Sequence, residues 1–335
     1  MTSFWSNTFF ALLATVTLAV SCSWKPVQEK PVLVENHVAL ELKVPDTFSF
    51  VAFGDTRFHD PLDTEPANPA IRHALVAAID KENPAFISIG GDIVYGGDNP
   101  KDWQVWDSET AIWREHKIPV YPAIGNHDLK GDLQGALANY FARFPELQHS
   151  RYYSVRMGNT LMLVLDSALE EISGPQGEWL SAQLDRLVSS VDFVFLVFHH
   201  PPYTSSTDEK VFGGGHSARA TEQALGKFLE ERQQHIRARI VVFNGHVHNY
   251  ERHEHGGITY FVTGGGGAHA YPIVRHADDL YKDNGVNYHY LLAQVNHNRL
   301  TVTMHKVELK DAKEVWSQPD SVTITAPVAL PVAAD

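Results

Sequence analysis

Five short segments of the 335-residue chain contain aspartate, asparagine or histidine, and in four of them such a residue stands beside glycine. The segments are FGDTR, GGDIVYGGD, IGNHD, FHHPPY and NGHVHNYERH, and their polar residues include Asp55, Asp92, Tyr95, Asn126, His127, Asp128, His199, His200, His246 and His248. Mixed Asp, Asn and His donors favour first-row metals such as Fe, Mn or Zn over Ca or Mg. Glycine lets the backbone pack closely around ions and substrate. The segments therefore predict a metal site.

The chemistry expected of such a site is a two-metal reaction. A carboxylate can bridge two cations, and Asp92 is the candidate for that role. Two ions about 3.5–4 Å apart can share a hydroxide and clamp the oxygens of a phosphoryl group during an in-line displacement. This reaction needs no nucleophile from the protein, and the chain carries no GxSxG-type motif.

Four apolar runs end in the first four segments and predict strands that position the polar residues. These runs lie at 47–53, 85–92, 118–128 and 193–202. Near-continuous apolar runs of this length are typical of strands buried on both faces. Loops at the carboxyl ends of such strands form the ligand crevice of open α/β folds. In the fifth segment His246 and His248 are two residues apart, so an extended backbone would project both imidazoles to the same side.

Helical and hairpin patterns complete the architecture. Helices are predicted at 69–81, 102–116, 176–188 and 221–234, between the apolar runs. Hairpins are predicted to turn at Gly158-Asn159 and near residues 296–298. Alternating strands and helices predict an α/β fold, and the hairpins indicate that its sheets are mixed.

The first residues predict export from the cytoplasm. The apolar run at 9–20 is too short for a confident membrane span and suits the hydrophobic region of a signal peptide. Cys22 is the only cysteine, which excludes an intramolecular disulfide. Small residues before this cysteine resemble a bacterial lipoprotein processing site. A plain signal peptide and an uncleaved anchor are the alternatives, and all three predict a periplasmic, secreted or membrane-anchored protein.

The predicted organisation has four parts. They are a signal peptide of the lipoprotein type at 1–22, a polar tether at 23–45, one catalytic domain at 46–310 and a C-terminal tail at 311–335. The chain has 27 Lys+Arg against 40 Asp+Glu, a net charge of −13, which argues against a broad basic face for nucleic acid. A small phosphorylated substrate remains compatible, because bound metal ions supply local positive charge.

The ordered pattern GD, GGD, GNHD, HH and GHVH, spread over 46–306, resembles the calcineurin-like metallophosphoesterase superfamily. GDIVY, GHVHNYER and YFVTGGGGA are similar to its purple acid phosphatase branch. Many superfamily members have Asp-x-His in the first motif, whereas this chain has Arg57, whose guanidinium cannot bind a metal. In the purple branch a tyrosinate three residues after the bridging aspartate replaces that histidine, and Tyr95 stands there.

The resemblance implies a ligand set for two ions. One ion would be held by Asp55, Asp92, Tyr95 and His248, and the other by Asp92, Asn126, His199 and His246. The phenolate implies Fe(III) paired with Fe, Zn or Mn. The spacing leaves His199 and His200 both open as ligands, and the His-x-Pro pattern of the family favours His199. An aromatic lid packed on its loop is the alternative role for Tyr95.

The resemblance also implies roles around the ions. His127 would contact the phosphoryl oxygens or protonate the leaving group. His200 and Arg57 are further candidates for contacting the substrate, and Arg57 suits a phosphate oxygen. Asp128 is expected to orient His127. The remaining expectations are that Tyr250, Glu251 and Arg252 brace the last ligand loop and that His216 lies in a solvated loop, the alternative being a place at the rim of the pocket.

The function implied is hydrolysis of phosphate esters outside the cytoplasm, as an acid phosphatase-like phosphomonoesterase using a metal-bound hydroxide. A phosphodiesterase or nucleotide pyrophosphohydrolase with the same site is the alternative enzyme. The alternative outside enzymes is a surface lipoprotein that binds a phosphorylated ligand without turnover. The fold implied is a four-layer α/β/β/α sandwich with two mixed sheets and the metal site on loops at strand ends.

Overall fold

The computed structural model describes residues 1–2, 37–169, 173–207 and 216–328. The predicted signal peptide with Cys22 and most of the predicted tether lie outside the described residues, so the lipid anchor and the export from the cytoplasm stay predictions. Within the described ranges, no helix is both long and apolar enough to cross a membrane.

Fourteen strands in the described residues build two sheets. In chain order they are β1 (Val38–Glu41), β2 (Thr47–Phe53), β3 (Ile87–Ile89), β4 (Val120–Pro122), β5 (Tyr153–Met157), β6 (Thr160–Val164), β7 (Phe193–Phe198), β8 (Arg239–Asn244), β9 (Tyr250–His255), β10 (Ile258–Thr263), β11 (Tyr288–Asn296), β12 (Arg299–Lys310), β13 (Lys313–Ser317) and β14 (Ser321–Thr325). One sheet has the order β1-β5-β6-β7-β8-β10-β9, and the other β13-β12-β11-β2-β3-β4 with β14 also paired to β12.

Both sheets are mixed, as predicted. In the first, β6, β7, β8 and β10 run parallel, while β5 and β9 are antiparallel to their neighbours β6 and β10. In the second, β2, β3 and β4 run parallel, and β11 pairs antiparallel with both β2 and β12. The parallel strands therefore bring their carboxyl ends to one edge, where the polar segments follow.

Strand β7 shows why an apolar run folds here as a strand buried on both faces. Phe193, Phe195 and Val197 belong to the large core cluster, whereas Val194, Leu196 and Phe198 belong to a second cluster. The Phe50 ring from β2 lies 5.0 Å from Phe195, measured between centroids, which shows that the two sheets pack face to face. Alternate side chains of β7 thus fill different layers of apolar packing.

Six α-helices and one short 3₁₀ helix, counted over the part of the chain that the structure describes, cover the outer faces. They are α1 (Pro69–Lys81), α2 (Pro100–Glu109), α3 (Ala111–Glu115), α4 (Leu133–Arg143), the 3₁₀ helix (Pro145–Leu147), α5 (Pro175–Asp185) and α6 (Ala220–Gln233). Helices α5 and α6 pack Leu180 and Leu225 into the second cluster, outside the first sheet. Helices α1 to α4 contribute to the large cluster, and α1 contacts β11 and β12. The four-layer α/β/β/α sandwich is confirmed.

The structure corrects some boundaries. The helix predicted at 102–116 is two helices, because the backbone leaves helical geometry at Thr110 (φ −99°, ψ 12°), whose hydroxyl donates to the Trp106 carbonyl. Helix α4 and the β9–β10 hairpin were not predicted. The domain also extends beyond 46–310: β1, from the predicted tether, pairs with β5, and β13 and β14, from the predicted tail, pair with β12.

Candidate metal centre

The loops after β2 and β3 run side by side and bring two aspartates together. The backbone N–H of Asp55 donates to the Gly91 carbonyl at 3.0 Å, and that of Arg57 donates to the Asp92 carbonyl at 3.0 Å. Both carboxylates are completely buried. A Cβ on the neighbouring Gly245 would lie 2.6 Å from Asp55 Oδ2, so only glycine lets this backbone approach so closely.

Four residues of the centre have left-handed backbone conformations. The φ angles are 57° at Asp55, 44° at Arg57, 54° at Asp92 and 70° at His246. Each such angle costs a non-glycine residue on the order of 1–3 kcal/mol and persists only where surrounding contacts enforce it. Four such φ angles in one centre indicate that the surrounding contacts hold these residues in strained backbone conformations and so fix the directions of their side chains.

One group of donor atoms comes from Asp55, Asp92 and His248, whose candidate atoms all lie within 4.8 Å of one another. His248 Nδ1 donates to the His269 carbonyl at 2.9 Å, which leaves Nε2 with its lone pair directed at Asp55 Oδ1, 3.6 Å away. Neither of these two buried atoms has a hydrogen-bond partner. Buried polar atoms normally do, so this pair has the character of an incomplete coordination site.

A second group comes from Asn126, His199 and His246. His199 Nδ1 donates to the Gly90 carbonyl at 2.8 Å. Its Nε2 lies 3.0 Å from Asn126 Oδ1 and 3.2 Å from His246 Nδ1. With the proton fixed on Nδ1, the lone pair of His199 Nε2 faces other electron-rich atoms. That arrangement suits a cation between them.

Asp92 joins the two groups. Its Oδ1 lies 3.4 Å from His199 Nε2 and accepts the backbone N–H of His127 at 2.8 Å. Burial raises the pKa of this carboxyl, but His199, Arg57 and His127 outweigh burial and hold it below its ordinary value. Asp55, in contrast, has a raised pKa because of burial and the nearby Asp92 charge. Two adjacent buried carboxylates of this kind need a balancing positive charge.

Arg57 provides part of that charge. Its Nη2 donates to Asp92 Oδ2 at 3.2 Å, and its Nε is buried without a hydrogen-bond partner. The side chain is 13% exposed, so the guanidinium borders the centre without being sealed from solvent. A guanidinium beside the carboxylate can attract an anionic substrate group, but it cannot coordinate a metal.

Tyr95 and His127 lie side by side next to Asp92. Their ring centroids are 5.2 Å apart, and His127 Nδ1 donates to the Tyr95 carbonyl at 2.7 Å. The Lys130 ammonium lies over the Tyr95 ring, 3.9 Å from its centroid. Burial lowers the pKa of His127, with Asp92 opposing the shift. The tyrosine is half-buried, and its side-chain contacts in the structure are ring contacts with His59, His127 and Lys130.

His200 offers a further donor atom beside His199 and His246, and His216 borders this second group. The His200 ring lies 4.2 Å from that of His246 and is 6% exposed, with Nδ1 2.7 Å from Ser167 Oγ. Burial and the neighbouring His199 and Arg219 lower the pKa of His200 to about 2. The His216 ring lies 4.1 Å from that of His246. The expectation of a solvated loop for His216 is wrong, because its half-buried ring contacts His246, which fits the alternative place at the rim of the pocket.

The expected role of Asp128 is also corrected. Its carboxylate accepts backbone N–H groups of Gly125 at 2.9 Å and Ile93 at 2.9 Å, rather than a proton from His127. Asp128 therefore fastens the third loop to the second, and the Tyr95 carbonyl positions the His127 ring. Burial and the nearby Asp92 charge raise the pKa of Asp128 to about 8.

The three residues expected to brace the last loop have long-range contacts. Tyr250 Oη donates to Asp320 Oδ2 at 2.7 Å, and Arg252 Nε donates to the same oxygen at 2.8 Å. The Glu251 carboxylate accepts the Thr204 hydroxyl at 2.6 Å and so contacts the loop that follows His200. These contacts join the end of the fifth segment to two distant parts of the chain.

Some residues of the centre carried no usable signal in the sequence. His269 and Gly90 act through backbone carbonyls, which any residue type provides. Ser167 and Lys130 lie outside the five segments. His59 stands in FGDTRFH and could have been noticed; its Nδ1 lies 2.8 Å from Asp102 Oδ1, beside a cavity of about 470 Å³.

The fold and this centre define a class of protein. The family model described as calcineurin-like phosphoesterase matches residues 48–250, more than half of the chain. The chain belongs to the calcineurin-like phosphoesterase family.

Two proteins similar to this chain are described as purple acid phosphatases. Purple acid phosphatase 15 of Arabidopsis thaliana is 30% identical over 179 residues, which cover 49% of this chain and 32% of that protein. The purple acid phosphatase PPD1 from yellow lupin (Lupinus luteus) seeds superimposes with a TM-score of 0.64 at 18% identity, covering 83% of this chain and 54% of that one. The chain thus spans about a third to a half of these relatives.

The same fold also occurs in a protein with another description. GAP50, the anchor in the inner membrane complex of Plasmodium, superimposes with a TM-score of 0.56 at 15% identity, covering 84% of this chain and 90% of that one. At this identity the likeness concerns the fold alone, so the case for an activity depends on the donor atoms themselves.

Proposed function

We propose that this protein is a dinuclear-metal phosphoesterase that hydrolyses small phosphate monoesters. The observation that carries the proposal is the pair of donor groups joined through the buried Asp92 carboxylate, with Oδ1 facing His199 and Oδ2 facing Arg57. Family membership supports the reaction class, and the likeness to purple acid phosphatases supports monoesters.

The residues present fit two metal ions. Asp55 Oδ1 and His248 Nε2 are buried without partners, and His199 Nε2 faces other donors, as described above. One ion would be held by Asp55, Asp92, Tyr95 and His248, and the other by Asp92, Asn126, His199 and His246. We propose Fe(III) with Fe, Zn or Mn, because a phenolate together with carboxylates suits Fe(III). When bound, such ions lower the pKa of water and neutralise charge on phosphoryl oxygens.

The chain's own residues would complete the site. Arg57, partly exposed and paired with Asp92, is placed to bind a phosphate oxygen. His127 is held by its Nδ1–H at the Tyr95 carbonyl, which leaves Nε2 as the atom that can exchange a proton with the leaving group. Substrate contact by His200 is less favoured by the structure, because that side chain is buried against Ser167 and His246.

Two alternatives remain distinguishable. A phosphodiesterase or nucleotide pyrophosphohydrolase would use the same donors and differ in the walls of the pocket. A binding protein without turnover would not need these donors to converge, yet Asp55, Asp92 and His248 form one close group and Asn126, His199 and His246 form the other.

The activity is tested by comparing initial rates on 4-nitrophenyl phosphate, bis(4-nitrophenyl) phosphate and ADP, with metal-reconstituted full-length protein. The proposal expects kcat/KM for the monoester to exceed that for either other substrate at least tenfold. Faster hydrolysis of the diester or of ADP would assign the protein to the alternative enzyme class. Binding of inorganic phosphate with no turnover of any substrate would support the non-catalytic reading.

The tyrosinate is tested by replacing Tyr95 with phenylalanine. We expect the iron-loaded wild type to show a charge-transfer band in the visible spectrum and Tyr95→Phe to lose it while retaining most of its metal. Phenylalanine preserves the ring contacts with His59 and His127, so the fold is unaffected. A Tyr203→Phe variant, which keeps the aromatic ring elsewhere, is the control. An unchanged band in Tyr95→Phe would remove the tyrosine from the metal.

A further inference from the structure

A second group of metal-binding side chains lies outside the dinuclear centre. Strand β9 carries His253 and His255 two residues apart, so both imidazoles project from the same face of the strand. Asp278, in the segment between β10 and β11, faces them. One candidate donor atom from each of the three side chains lies within 4.8 Å of the other two.

The two distances from Asp278 to the histidine nitrogens match the edges of a tetrahedral coordination polyhedron. Asp278 Oδ2 lies 3.5 Å from His253 Nδ1 and 3.4 Å from His255 Nε2. Bonds of about 2.0–2.1 Å to a tetrahedral zinc ion place neighbouring ligand atoms roughly 3.3–3.4 Å apart. Asp278 Oδ2 therefore lies at about the distance from each nitrogen that two ligands of one tetrahedral zinc ion would have.

Both nitrogens are buried and have no hydrogen-bond partner. The His253 side chain is 1% exposed, and its other nitrogen, Nε2, lies 3.2 Å from the Glu251 carboxylate. A proton on Nε2 shared with Glu251 leaves the Nδ1 lone pair free for a cation, as in the carboxylate–histidine–metal arrangement. The His255 ring is held by stacking on Tyr203, at 3.8 Å between centroids and 18° between planes.

A proton alone does not explain this geometry. If His253 were an imidazolium, it could donate to Glu251 and to Asp278 and so satisfy its Nδ1. His255 Nε2 could likewise donate to the same Asp278 oxygen, but both N···O distances, 3.5 Å and 3.4 Å, are longer than the usual length of about 2.7–3.2 Å for an N–H···O hydrogen bond. A cation between the three atoms satisfies both nitrogens and the carboxylate at once.

The neighbouring Asp279 is not part of the group. Its Oδ2 accepts from Arg275 Nη1 at 2.9 Å and from the Ser205 hydroxyl at 3.2 Å. Its Oδ1 accepts the backbone N–H groups of Arg252 at 3.2 Å and Tyr281 at 3.0 Å. The carboxylate of Asp279 therefore already has an ion pair and three hydrogen bonds to other donors, whereas Asp278 is half-exposed and its carboxylate pairs with the two histidines.

We propose that His253, His255 and Asp278 bind one divalent transition-metal ion, best satisfied by Zn²⁺, in a mononuclear site separate from the dinuclear centre. Two imidazoles and one carboxylate form a ligand set that zinc accepts, and the exposed side of Asp278 leaves a fourth position for water. The ion ties β9 to the 264–287 segment, whose His269 carbonyl holds His248. It is a structural site that does not depend on the proposed phosphoesterase activity.

The test is the zinc content of the full-length protein after equilibrium dialysis against micromolar Zn²⁺, compared with Asp278→Asn and His255→Gln. Both altered side chains are partly exposed, at 49% and 27%, so the fold tolerates the changes. The exposed His276, two residues from Asp278, provides the control His276→Gln. We expect each test variant to hold one zinc ion per chain fewer than the wild type, and the control to hold as many.

Absence of zinc from this site can be distinguished from absence of the ions of the dinuclear centre. If the dinuclear centre bound no zinc, the zinc content would be lower in the wild type, in both test variants and in the control alike. The test variants would still hold one zinc ion per chain fewer than the wild type. Equal zinc content in the wild type and in Asp278→Asn would overturn the proposal. Anomalous diffraction at the zinc edge from wild-type crystals checks the position without a variant, and absence of a peak between the three side chains would overturn it as well.

Discussion

Replacing Asp92 with asparagine is expected to lower kcat/KM for a phosphate monoester by roughly a thousandfold or more. The variant keeps the size of the side chain but removes the one carboxylate shared by both donor groups. Metal ions contribute several kcal/mol of transition-state stabilisation, and each 1.36 kcal/mol lost corresponds to a factor of ten in rate. The measurement combines steady-state kinetics with metal analysis, and we expect the variant to bind less than one ion at the dinuclear centre.

The matched control is Asp107→Asn, which makes the same change of charge at a half-exposed surface position paired with Arg143. It should retain wild-type activity and metal content. If Asp92→Asn folded, kept both ions and turned over substrate within tenfold of the wild type, Asp92 would not be a bridging ligand and the model of the centre would be wrong.

Replacing His127 with glutamine is expected to reduce kcat by about 10²- to 10⁴-fold, the usual contribution of a positioned general acid or base. The two ions should remain, because the bond from residue 127 to Asp92 Oδ1 comes from the backbone N–H, which the variant retains. Kinetics with substrates of different leaving-group pKa make the assignment specific. The loss should be greatest for poor leaving groups, which depend most on protonation.

The control for this variant is His73→Gln, at an exposed position on α1. Loss of metal in His127→Gln would show that the histidine maintains the centre rather than acting on substrate. A kcat within twofold of the wild type, with metal retained, would exclude His127 as a general acid.

The fold was predictable where a single physical signal dominated. The run Phe193–Phe198 is apolar at every position, so a strand buried on both faces is the arrangement that buries all of it. Helix α1 was predicted with its correct bounds, because Pro69 can occupy the first turn and the Asn68 side chain caps it by accepting the Ile71 N–H at 3.2 Å. Each signal is local, so it can be read without knowing the tertiary structure.

The parts that were missed depend on distant contacts. Strands β13 and β14 lie in the part of the chain predicted to be a C-terminal tail, whereas in the structure both pair with β12. Asp128 stands beside His127 in the sequence, yet its carboxylate turns to the backbone of Gly125 and Ile93. His216 approaches His246 because Ser206 holds its backbone. Adjacency in sequence was a poor guide to which groups touch.

The grouping of donors from all five segments was anticipated from the order of the motifs, whereas the His253, His255 and Asp278 group was not. Its two histidines lie on a strand that the sequence analysis did not identify, and its aspartate follows 23 residues after His255 in an irregular segment. Spacing alone gave no reason to join them.

Anomalous diffraction from crystals of the metal-reconstituted protein, recorded at the iron, manganese and zinc edges, tests the central claim most directly. We expect two ions joined by Asp92, one within about 2.0–2.3 Å of donor atoms from Asp55 and His248 and the other at similar distances from His199 and His246. Failure to find ions between these residues after reconstitution, or a single ion without contact to Asp92, would contradict the dinuclear centre and the phosphoesterase function built on it.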